Sequence, residues 1–575
     1  MGPKSDNNGP FSDRCPSVGW QKSIMLHRLN AIAWLLSSFL LLLLCSCKQF
    51  DRAVDQTEPH SSTDRTNSLS SPTPVELIAT PTLRPRSAST SPEPEQQPTI
   101  ESRSVLLNNK AGELDNLRGV GRLVGLTTCT ASLIEINQEP DAPAYVLTAG
   151  RCVQPRLANA VYLNGLVGNM HVLFNFFADT QEEQLIVLAK NVVYSTMKGR
   201  DLAIVELEET VGGLKEKGIE PLPFSGDLIE DTLPISMIGA PAVGFSPDSS
   251  FLRMEKCVLD GQVDLVESQL FAYDVYRTDC QDNFSGSAGS PLFADGDYVL
   301  LGINSATTVA GFHPCSLGAP CEVTEQTTVM RDNASYATPL TGLAECFNQE
   351  GRFDISLQDC LLDDDRQLRL SNSIGEVTQS MQIAADGEKS PVRWNITASG
   401  DYSYYRYKIG PISQTNCRDV DGYSEVYLLG EDTVINQQVS SEEGFEVLCV
   451  LGGDSRSPSD KEMWQSPEFA TKVLVKIDNT PPTLDPIVVL VHDGEFYSVY
   501  FHLDPPELNY YEYKVDALSE TDCHDTVDYD LVPRGPLQIP KNQTQYSLCV
   551  IGIDAAGNKA QPYEIILGGE QSAVP

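Results

Sequence analysis

Cys129-Thr130-Ala131-Ser132-Leu133-Ile134, followed by Val146-Leu147-Thr148-Ala149-Gly150-Arg151-Cys152, is the stretch on which the reading of this chain turns. Two further segments belong with it: Asp201-Leu202-Ala203-Ile204-Val205-Glu206-Leu207, and Gly286-Ser287-Ala288-Gly289-Ser290-Pro291-Leu292-Phe293. Arg151 precedes Asp201 by 50 residues, and Asp201 precedes Ala288 by 87. From about 105 to 350 short β-rich runs recur, among them AYVLTAG, LIVLAKNVVYS, LAIVELE and YVLLGINSA, with turn residues between them. That is the pattern of an all-β barrel or sandwich.

The whole chain has 575 residues, a length that suggests about four domains at ~150 residues each. Hydrophobic residues make up 41% and charged residues 21%, so most of it can build cores. Seventy-nine acidic against 40 basic residues give a net charge of −39, which repels polyanions and argues against nucleic acid as a partner. Forty-one Gly and 37 Pro are too few for a collagen-like or wholly disordered chain.

The N-terminus reads as an export signal. Ala31–Leu44 is 14 mostly apolar residues, short of the ~20 that a spanning helix needs, with Lys22, His27 and Arg28 before it. Leu44-Cys45-Ser46-Cys47 resembles the bacterial lipobox. The resemblance implies lipidation at Cys47, a lipid anchor to a membrane, and, with Lys48 next in the chain, an outer-membrane or cell-surface destination. Residues 1–47 are then leader, and 48–104, rich in Ser, Thr, Pro and Glu, a disordered tether.

Cysteine usage fits an oxidising compartment. Without Cys15, Cys45 and Cys47, twelve of the 15 cysteines remain, enough for six pairs. Their spacings suggest Cys129 with Cys152, Cys257 with Cys280, Cys315 with Cys321, Cys346 with Cys360, Cys417 with Cys449, and Cys523 with Cys549. No CxxC pair occurs, so neither a metal nor any other cofactor is expected.

The C-terminal part repeats itself. Tyr404-Tyr405-Arg406-Tyr407-Lys408 returns as Tyr510-Tyr511-Glu512-Tyr513-Lys514, each followed nine residues later by a cysteine and later still by Leu-Cys-Val. Two β-sandwiches are expected, at 376–478 and 479–570, after a connector at 351–375. They resemble immunoglobulin-like or fibronectin-like modules of bacterial surface proteins. Asp419-Val420-Asp421-Gly422 reads as an acidic turn, not a calcium loop.

The three opening motifs resemble the trypsin/chymotrypsin superfamily of serine peptidases, in its bacterial branch, whose members read CTASLI…VLTAGHC, a strand opening with the catalytic Asp, and GxSGSPLF. The resemblance covers about 240 residues, under half the chain, and implies a double β-barrel over 105–350, with Cys129–Cys152 as the disulfide beside the catalytic His. Residue by residue, however, the triad is broken: Arg151 holds the His position and Ala288 the Ser position, and only Asp201 matches. A guanidinium has no acceptor lone pair and stays protonated, so it cannot serve as the base. A methyl group cannot attack a carbonyl. Ser285, Ser287 and Ser290 are nearby hydroxyls, and His171 and His313 are the domain's only histidines, but none falls in a motif position.

What the resemblance leaves intact is backbone. Gly286 and Ala288 carry N–H groups where the family builds its oxyanion hole, and Gly302-Ile303-Asn304-Ser305 resembles the edge strand that pairs with substrate. Two functions follow. One is an inactive pseudopeptidase lipoprotein acting in protein or extended-peptide binding; the alternative is an active serine-type endopeptidase. The first also implies that Arg151 turns to pair with Asp201, which would otherwise be buried alone.

Overall fold

The computed structural model describes residues 103–568 apart from 155–158, 230, 247–248, 282–283, 310–311, 384–386, 432, 503–506, 526 and 543. The leader, Cys47 and nearly all of the 48–104 tether lie outside the described residues. The chain is all-β. Its first barrel uses β1 (Val120–Val124), β2 (Thr128–Ile134), β3 (Pro143–Thr148), β4 (His171–Phe174), β5 (Leu185–Thr196) and β6 (Leu202–Thr210). The order is β5-β4-β1-β2-β3-β6, closed by pairing of β6 with β5. The second uses β7 (Leu233–Gly239), β8 (Arg253–Glu267), β9 (Leu270–Thr278), β10 (Pro291–Ala294), β11 (Leu300–Thr307) and β12 (Ser335–Pro339). It runs β9-β12-β11-β10-β7-β8 and closes from β8 to β9. These two closed sheets form a chymotrypsin-like double barrel.

Strand periodicity explains why the opening motifs are apolar on both faces, with small hydroxyl residues between. Side chains alternate between the two faces of a strand. In β2, β3 and β6 one face lines the first barrel, with Ala131, Leu133, Val146, Ala203 and Val205. The other face carries Ile134, Leu147, Leu202 and Ile204 into a core shared with Ile238, Phe293 and Ile303 of the second barrel. Both faces are buried, and the polar residues among them, Thr130 and Thr148, hydrogen-bond within the fold.

The boundary read at 350 falls short. Phe353, Ile355, Cys360 and Leu362 pack against the core between the barrels, because the Cys346–Cys360 disulfide turns this segment back onto it. The expected connector therefore begins as part of the double barrel.

Beyond it come two units, each of two facing sheets. The first pairs Leu368–Ser371, Ile396–Gly400 and Val434–Ile435 against a sheet built on Tyr404–Pro411, Gly444–Gly453 and Thr471–Ile477. The second repeats this plan with Ile487–Asp493, Phe496–His502 and Leu537–Pro540 against Tyr510–Ala517, Tyr546–Ile553 and Tyr563–Leu567. The repeated lysines have one job in both copies. Lys408 Nζ donates to the carbonyls of Asp419 and Asp421, and Lys514 Nζ to those of Asp522 and Asp525. Each thereby holds the turn around the cysteine, so the Asp419–Gly422 acidic turn is bound to a side chain of its own fold.

Six disulfides join Cys129–Cys152, Cys257–Cys280, Cys315–Cys321, Cys346–Cys360, Cys417–Cys449 and Cys523–Cys549. Such a density belongs to exported proteins. Among the described residues no helix is long and apolar enough to cross a membrane.

Candidate functional site

Arg151 is delivered by the end of β3. The strand stops at Thr148, and Gly150–Val153 makes one helical turn that Cys129–Cys152 ties to β2. Gly150 has to be glycine here, since a Cβ would lie 2.0 Å from the Thr196 carbonyl oxygen and 3.1 Å from Asp201 Oδ1. That close approach sets Arg151 directly against Asp201, the residue before β6. The Arg151 backbone N–H donates to Asp201 Oδ1 at 2.9 Å, and its Nε donates to Oδ2 at 2.5 Å.

A residue that the sequence motifs do not reveal completes the group. Glu267, at the end of β8 and buried, accepts from Arg151 Nη2 at 2.7 Å. Its other oxygen accepts from the Gly318 backbone N–H at 2.9 Å. One guanidinium is therefore held between two buried carboxylates, one from each barrel. Burial opposes the charge of Arg151, but the attraction of Asp201 and Glu267 outweighs it and holds the group above its ordinary value. Burial pushes the Asp201 carboxyl up, against the pull of Arg151. A space of about 20 Å³, room for a water, is left beside this group and bounded by Met197, Leu270 and Ser305.

The third motif lies alongside. Thr130 N–H donates to the Ala288 carbonyl at 2.9 Å, and Thr130 Oγ1 donates to the Gly286 carbonyl at 2.9 Å. The first and third motifs thus share one wall of the domain. Gly289 (φ +83°) allows this packing, because a Cβ there would fall 2.2 Å from the Thr130 carbonyl oxygen. Among the described residues, no hydrogen bond engages the backbone N–H of Gly286 or Ala288. Both N–H groups lie in the Gly286–Ser290 turn, where Ala288 carries no hydroxyl.

The neighbouring hydroxyls do not replace one. Ser290 Oγ donates to Thr130 Oγ1 at 3.3 Å, Ser287 is buried, and Ser285 is exposed. Among the described residues none of the three hydrogen-bonds to a base. His171 sits on β4 with Nδ1 at 3.0 Å from the Asn169 carbonyl, and His313 lies in a loop after β11. Neither bonds to Asp201. Gly302, Ile303 and Asn304 are interior to the sheet, flanked by β10 and the Ser290 turn on one side and β12 on the other. Only Ser305 and the residues after it have a single neighbouring strand.

No protein-family model matches the chain, and no curated protein matches it. Among solved structures it is similar to the thermostable serine protease AL20 from an extremophilic microorganism, at 14% identity and a TM-score of 0.28, over 41% of this chain and 96% of that one. It is also similar to the protease Anisep from Arthrobacter nicotinovorans, at 14% identity and a TM-score of 0.27, over 39% of this chain and 91% of that one.

Proposed function

We propose that this chain is an exported pseudopeptidase: a serine-peptidase fold whose former catalytic centre now ties its two barrels together, and which acts in protein or peptide binding. The observation that carries the reading is the clamp on Arg151. Hydrolysis through the triad needs a neutral imidazole between nucleophile and carboxylate. Here the position is filled by a permanent cation whose Nε is committed to Asp201 and whose Nη2 is committed to Glu267. Loss of nucleophile or base each removes about 10⁶-fold in a studied case; this chain lacks both.

The proposal includes anchoring through Cys47 and two immunoglobulin-like modules as spacers or adhesive units. Replacing Cys47 by Ser should move the protein from the membrane to the soluble exported fraction. Unchanged fractionation would remove the anchor from the reading.

The catalytic half is tested with a panel of peptide substrates and a fluorophosphonate probe for activated serines. Wild type should neither turn over substrate nor take the label. The double change Arg151→His with Ala288→Ser is the one variant that restores all three triad groups, and it alone has the parts to be labelled. Turnover by wild type that a serine-directed inhibitor abolishes would reinstate the endopeptidase alternative.

A further inference from the structure

The internal repeat provides its own control, and its two copies differ at their sheet edges. In the first copy the outer strand of the small sheet, Leu368–Ser371, is four residues long and carries Arg369. At the other edge, Thr471–Ile477 is covered by an added parallel strand, Val377–Thr378. Lys476 N–H donates to the Glu376 carbonyl and Asp478 N–H to the Thr378 carbonyl, both at 2.9 Å. Short, charged or covered edges are how sheets avoid further pairing.

The second copy has a longer outer strand, charged only at its last residue, and no added strand among the described residues. Its outer strand, Ile487–Asp493, is seven residues long, reads IVVLVHD, and pairs only with Phe496–His502. Val488 and Leu490 turn inward to the core. Side-chain alternation puts Ile487, Val489 and Val491 on the outer face, where Val489 faces Tyr500 across the pair, Ile487 faces His502 and Val491 faces Ser498, with Phe496 at the end of the same face. Ile487, Tyr500 and Phe496 are each about 40% exposed. Every second residue of such a strand offers its N–H and C=O to the open side.

We propose that Ile487–Asp493 is a docking edge for an extended segment of a partner protein, one that alternates apolar and basic residues and adds to the sheet as a further strand. Main-chain pairing would supply the affinity, and the exposed apolar row would continue onto the partner's apolar side chains. Charge decides between occupants. Residues 479–568 carry 14 Asp and Glu against four Lys and Arg, a net charge of −10, with Asp485 and Glu495 just outside the strand ends. A second copy would bring the same negative charge to within a Debye length of ~8 Å; a basic strand would neutralise it. The proposal rests on the binding half of the function above and not on the loss of catalysis, which the serine probe decides separately.

The test uses the full chain and three synthetic peptides: alternating Val-Lys, alternating Val-Glu, and Val-Lys N-methylated at every second amide. Val-Lys should bind, and both others at least tenfold more weakly. Hydrogen exchange should slow at 487–493 on Val-Lys addition and stay unchanged at 368–371, a readout that needs no variant. Val489→Lys with Val491→Lys, checked for an unchanged melting temperature, should weaken Val-Lys binding at least tenfold. The proposal is overturned if Val-Lys does not bind wild type, if Val-Glu or the methylated peptide binds as well, or if protection appears elsewhere. Self-association through 487–493 would overturn it in favour of a second copy.

Discussion

Two buried cations in this molecule meet opposite surroundings. Arg151 sits between Asp201 and Glu267 with its fork satisfied. Lys472, on the first repeat where it meets the barrels, is 3% exposed, and among the described residues its Nζ has no hydrogen-bond partner. It lies 4.5 Å from the centre of the Tyr273 ring and 5.7 Å from that of Phe271. Arginine keeps its proton under any ordinary condition, whereas a buried lysine can shed it. The first arrangement is therefore a permanent tie and the second a titratable joint.

The largest effect is expected where the pairing is complete. Arg151→Met should leave two carboxylates facing each other in a dry cleft, at a cost of about 3–5 kcal/mol, the range for breaking a buried pair. Glu267→Gln keeps an acceptor for Nη2 and removes one charge, and should cost less, about 1–3 kcal/mol. Denaturant unfolding measures both. If Arg151→Met unfolds at the wild-type midpoint, the tie contributes nothing and the comparison with Lys472 fails.

The clamp was half legible in the sequence, for a physical reason. Gly150 and Asp201 stand in motifs whose spacing is imposed by strand closure, so an arginine at 151 has an obvious carboxylate to meet. Glu267 has no such marker. It ends a 15-residue strand of mixed polarity, RMEKCVLDGQVDLVE, 116 residues from its partner. The barrels themselves were readable because β2, β3 and β6 bury both faces. The return of Phe353 and Leu362 to the core was not, since those apolar residues are scattered among polar ones. The joint around Lys472 was equally hidden. Asn159 bonds to the Lys472 backbone and Arg418 pairs with Asp274, contacts spanning 313 and 144 residues. No local pattern encodes them.

The joint offers a smaller effect with a distinct pH signature. Burial, helped by Lys198 and partly offset by Asp363 and Asp264, lowers Lys472 to about 7. Between that value and its unfolded one near 10.5, the unfolded chain holds the extra proton, so wild-type stability from this group rises with pH. Lys472→Met has no proton to lose. It should be more stable than wild type at pH 7 by about 1–3 kcal/mol, the range seen when buried charge gives way to apolar packing, and the gap should narrow toward pH 10. Thermal melts at both pH values decide it; a gap that stays constant would mean that Lys472 is not held near neutrality.

The smallest effect tests the quiet side of the centre. Ala288 is partly buried against the first barrel's core, and its carbonyl is already engaged by Thr130. Ala288→Ser adds one oxygen to a side chain that is only partly buried, so its stability should stay within about 0.5 kcal/mol of wild type. The new hydroxyl would have no base beside it, since the Arg151 guanidinium has no acceptor to take its proton. Arg151 cannot move to help, because leaving Asp201 and Glu267 would strand two buried carboxylates. The variant should therefore melt with wild type and remain unlabelled by a fluorophosphonate at any pH where it is folded. Labelling of Ala288→Ser alone would show that some other group near the Gly286–Ser290 turn acts as a base, and would turn the inert side of the centre into the reactive one.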